Sequence, residues 1–142
     1  MPPYSSDAEI ERIGRGLIDR SLPKAEWTHA AHFAAAFWLL RRPDVNAARD
    51  MPGFIRAYNE ATGTPNTDAG GYHETITLAS LRAASAWLTA RPDASLHVAL
   101  AELLASSFGR SDWLLTHWTR PVLFSVAARR GWIEPDVKPL PF

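Results

Sequence analysis

Apolar residues recur every three or four positions along most of the chain, a spacing that predicts helices rather than strands. In SSDAEIERIGRGLIDRSLP, Ile10, Ile13, Leu17 and Ile18 mark one face, Ser6 and Glu9 form a capping-box pattern, and Pro23 closes the segment. EWTHAAHFAAAFWLL follows. It starts from a Thr28 cap, runs to about Arg42 before Pro43 and is apolar on every side, so a helix here is expected to be buried all round. A short helix is expected around 45–50 and a third full helix at about 52–62, with Pro52 in its first turn and Gly63 just past its end. YHETITLASLRAASAWLTARP predicts a fourth helix at about 72–90, and DASLHVALAELLASSFG a fifth from an Asp93 cap to Gly109. A sixth is expected from Ser111 or Asp112 to just before Pro121, and SVAARRG gives one or two turns between Ser125 and Gly131.

Between the third and fourth helices, GTPNTDAGG reads as a loop, placed where loops often line sites. The tail WIEPDVKPLPF, about 132–142, holds three prolines and is expected to lie extended, anchored by Trp132 and Phe142. No stretch alternates polar and apolar residues as a half-buried strand does. The expected fold is therefore all-α: a single domain over 1–142, an irregular bundle of four main helices plus short helices and an extended Pro-rich tail.

Composition narrows the partners. The 142 residues carry 15 basic and 15 acidic side chains, which gives no support to a nucleic-acid surface. No apolar run approaches membrane-spanning length and the first residues lack a signal-peptide layout, so a cytoplasmic protein without membrane partners is expected. A homodimer is compatible with the sequence. The chain has no cysteine, which excludes disulfides, thiolate nucleophiles and Cys-bound metals; any metal would be held by His, Asp, Glu or other oxygen donors.

Candidate chemistry lies at two helix starts. His29 and His32 are three apart, on one face in the first turn after Thr28, where the helix dipole favours neutral imidazole. Glu26, just outside, is placed to accept an N–H from one of them. In GGYHETIT, His73 and Glu74 open the fourth helix, with Thr77, Ser80, Ala84 and Trp87 continuing a stripe of small and polar residues into apolar ones. If the two helices run side by side in one direction, His29, His32 and His73 converge as three ligands for zinc or iron with an open position. His73 and Glu74 are then the catalytic candidates, and Trp27, Thr28, Tyr72 and Thr77 the substrate-binding ones. No carboxylate lies inside the second helix, which argues against a ferritin-type di-iron bundle. His97 reads as a satisfied boundary residue, and His117 and Arg120 as weaker candidates near a helix end. Among the six tryptophans, Trp27 is the pocket candidate and Trp38 a core residue.

WTHAAH, YHETIT and the closing ARRGWIEPDVKPLP together resemble the marks of a widespread group of small bacterial proteins, over nearly the full chain. The resemblance singles out Thr28, His29, His32, Tyr72, His73, Glu74, Thr75 and Thr77; it implies where a site lies without implying a reaction. The leading expectation is a small metal-dependent enzyme acting on a small organic molecule, a hydrolase or a non-haem iron oxygenase. Two alternatives stand beside it: a metal-free His/Glu acid–base isomerase or lyase, and a non-catalytic ligand-binding or interaction module whose histidines are structural.

Overall fold

The computed structural model describes residues 3–142, and these are all-α with no strand among them; a single bridge pairs Thr67 with Gly70. Helix α1 (Asp7–Asp19) begins where Ser6 accepts the Glu9 N–H, and it buries Ile10, Ile13 and Leu17. Helix α2 (His29–Leu40) starts at Thr28, whose hydroxyl accepts the Ala31 N–H, and is buried from Phe33 to Leu39. It packs against α1, α3, α4 and α5, which accounts for an apolar surface on every side. Close approach to α1 depends on Gly14, where an added Cβ would stand 2.1 Å from Cε3 of Trp38.

Two prolines act differently from the sequence expectation. The separate pieces expected at 45–50 and 52–62 are one helix, α3 (Ala47–Ala61), capped by Asn46 through the Arg49 N–H. Pro52 lies inside it near its start. The missing N–H leaves only the carbonyl of Ala48 without its helical partner, and Ala48 is exposed to water. Pro121 opens a helix rather than ending one. The stretch expected as a sixth helix is a 3₁₀ turn at Trp113–Thr116, followed by α6 (Arg120–Leu123) with Pro121 in its first turn, a position that needs no N–H. Helix α4 (Glu74–Thr89) starts after His73, α5 (Leu96–Ala105) starts after Ser95 rather than Asp93, and α7 (Val126–Arg130) is capped by Ser125 as expected.

The tail lies extended and is tied down at several points. Ile133 O accepts the Trp118 indole N–H at 3.0 Å, Asp136 accepts the backbone N–H and hydroxyl of Thr119 at 2.8 Å each, and Val137 N–H donates to His117 O at 2.9 Å. Trp132 packs edge-on to Trp118 under the Arg82 guanidinium, and Phe142 lies against Phe108. Among the described residues no helix is long and apolar enough to cross a membrane.

Candidate functional site

A cavity of about 810 Å³ lies between α2, α3, α4 and the segment from Ser111 to Phe124, a size that suits a small organic molecule. The first turn of α2 contributes His29 and His32 to its wall, and the start of α4 contributes His73, Ile76 and Thr77. Trp27, Thr28 and Tyr72 line it as well. The two histidine-bearing segments therefore reach one chamber. Glu74 does not line it; its carboxylate accepts the Tyr72 phenol hydrogen instead.

Each imidazole is fixed by the main chain. A carbonyl can only accept, so each ring nitrogen bonded to one must carry the hydrogen. His29 donates from Nε2 to Phe108 O at 2.8 Å, and His32 donates from Nδ1 to Thr28 O at 2.8 Å. The Trp27 indole lies over the His32 ring, centroids 3.9 Å apart. His73 uses both nitrogens: Nε2 donates to Leu123 O at 2.7 Å and Nδ1 accepts the Ile76 N–H at 3.1 Å, which makes it the N-cap of α4.

The residues present do not fit the expected three-histidine metal set. In this arrangement His73 has no lone pair left for a metal or for proton transfer, and among the described residues no group of three or more His, Asp or Glu side chains is placed to hold an ion. Glu26 does not orient a histidine either; it pairs with Arg12 at 2.8 Å on the surface. The two remaining histidines are occupied elsewhere. His97 binds Asp7 at 2.6 Å and joins the starts of α1 and α5, and His117 is buried and donates to Lys138 O at 3.1 Å.

Burial pushes the basicity of His32 down to about 4, with the neighbouring His29 adding to the shift and the bond to Thr28 O opposing it. Burial likewise lowers His73, against the pull of Leu123 O and with help from the Arg129 charge. A neutral ring in the folded chain must charge on unfolding at low pH, so the unfolded state binds the extra protons. Stability from both groups is full above the ordinary histidine value of 6.5 and is lost as the pH falls below it, for His32 down to about 4. Denaturant unfolding at about pH 7.5, 5.5 and 4.5 is expected to give steadily lower midpoints, with a smaller decline in His73→Gln. A flat profile would count against neutral rings at these two positions.

Several contributors were not evident in the sequence. Asn66 latches the loop ahead of α4: its side-chain oxygen accepts from Tyr72 N–H at 2.9 Å and from the Asn59 amide at 3.0 Å. That loop turns at Gly71, whose φ of +80° and close approach to Pro65 O leave no room for a Cβ. Arg129 reaches back from α7 to donate to Gly71 O and Tyr72 O at 3.1 and 3.2 Å. Trp113 lines the cavity, and its buried indole N–H has no acceptor among the described residues. Only the loop composition hinted at any of these.

Comparison of the chain with protein-family models, with curated proteins and with solved structures gives no match.

Proposed function

We propose that the protein binds a small organic molecule in the cavity between α2, α3 and α4, with neutral His32 as the acceptor that selects a ligand hydroxyl or N–H. One observation carries this reading: two helix starts distant in sequence bring three imidazoles and the Trp27–His32 stack to one volume of about 810 Å³. Because His32 donates from Nδ1, its Nε2 holds the lone pair, and low basicity keeps that pair free at neutral pH.

A fragment library screened by ligand-observed NMR tests the reading. Wild-type protein is expected to bind a subset of flat fragments carrying a donor, Ser80→Phe to lose them by filling the cavity from α4, and His32→Leu to weaken them by roughly tenfold. Binding that survives Ser80→Phe in a folded variant would reject the cavity as the site.

Catalysis is the second reading. His29 and His32 each keep one ring nitrogen out of the backbone bonds, so a zinc or iron ion could take two nitrogens from the chain and the rest from water or ligand. Without a metal, the same nitrogens could relay a proton, while Glu74 would act only through Tyr72. Elemental analysis of protein purified without a histidine tag separates these forms. About one metal per chain supports the first, and about a tenth or less after reconstitution rejects it.

A further inference from the structure

We infer that the ligand carries a carboxylate on a flat apolar body, with the carboxylate held by Arg129 and Arg120 at the α6–α7 side of the cavity. The inference rests on the cavity being a ligand site, and it adds the charge and shape of the ligand. The lining is cationic although the whole chain is formally neutral: Lys24, Arg120 and Arg129 face a single acidic residue, Asp112. Both oxygens of Asp112 are hydrogen-bonded by Arg110 at 3.0 Å each, so this carboxylate forms no direct pair with any of the three lining cations.

Arg129 is held for this purpose by geometry. Its Nη1 is spent on Gly71 O and Tyr72 O, which fixes the guanidinium plane beside the start of α4. Nε and Nη2 have no partner among the described residues, and these two N–H groups form one of the parallel pairs that match a carboxylate. The Arg120 side chain makes no hydrogen bond or ion pair among the described residues and supplies a second positive charge from α6. The rest of the lining suits an apolar ring system: Trp27 and Phe33 on one side, Met51 and Ile55 on α3, Ile76 and Leu81 on α4.

The probes are 6-hydroxynaphthalene-2-carboxylate and its neutral, nearly isosteric carboxamide, whose shared ring hydroxyl supplies the donor for His32 in both, titrated by calorimetry against the full chain with amide shift mapping to locate them. The carboxylate is expected to bind about tenfold tighter than the amide at low salt and to lose most of that advantage in Arg120→Gln. Arg120 is exposed and unpartnered, so this variant is expected to fold. Arg129→Lys keeps the charge but not the paired N–H groups and is expected to weaken the carboxylate several-fold. Equal affinity for acid and amide, both abolished by Ser80→Phe, would overturn the carboxylate inference and leave the cavity reading standing. Failure of both probes to bind, or binding that ignores Ser80→Phe, would overturn both.

Discussion

Replacing His73 by alanine is expected to lower the stability of the fold by about 2–4 kcal/mol. The ring caps the start of α4 by accepting the Ile76 N–H and, fifty positions along the chain, donates to the carbonyl of Leu123. Alanine removes both bonds. Loss of a helix cap costs on the order of 1 kcal/mol. The Leu123 carbonyl then lies buried without a donor, which costs a further 1–3 kcal/mol or about that. His73→Asn separates the two parts: its short side chain can still cap α4 but cannot span to Leu123, so about 1 kcal/mol should return. Guanidinium unfolding of the three proteins measures both parts. A loss in His73→Ala of less than about 1 kcal/mol would mean that the ring does not join α4 to α6.

Gly14→Ala is the second large effect, and its sign is informative. On an exposed helix surface the change would stabilise by roughly 1 kcal/mol, because alanine favours helix over glycine. Here the new methyl would stand 2.1 Å from Cε3 of Trp38, which is only 7% exposed and has the Arg42 and Arg15 guanidiniums 4.5 and 5.4 Å from its ring. The ring has little freedom to withdraw. Overpacking of this kind costs about 1–3 kcal/mol, so the melting temperature should fall by several degrees. A rise would show that Trp38 swings aside without penalty and that α1 and α2 are not in tight contact.

The parts of the fold legible in the sequence are those set by local chemistry. Ser6, Thr28 and Ser125 are hydroxyl caps that satisfy backbone N–H groups three residues on, and all three helices start where those residues predict. The run Phe33–Leu39 could only be buried. Pro52 and Pro121 misled because proline forbids a backbone N–H, which stops a helix only where that N–H is needed. At the site, the matching format of WTHAAH and YHETIT pointed to one chamber only on the condition that their helices run side by side in one direction, which the sequence leaves open. What that chamber does with its imidazoles was hidden. The bonds from His29 to Phe108 and from His73 to Leu123 depend on tertiary folding, and they consume the ring nitrogens that a ligand count from sequence treats as free.

The acceptors for the histidines at the site, Thr28, Phe108 and Leu123, and the acceptor for His117, Lys138, are all main-chain carbonyls. Each contact therefore depends on a histidine at one end and on no particular side chain at the other. Across divergent descendants of this chain, the four imidazoles should stay fixed while positions 108, 123 and 138 drift under packing constraints alone. Paired-mutation statistics would then be silent on the bonds that hold the chamber open, and the histidines would look solitary in an alignment although none of them is.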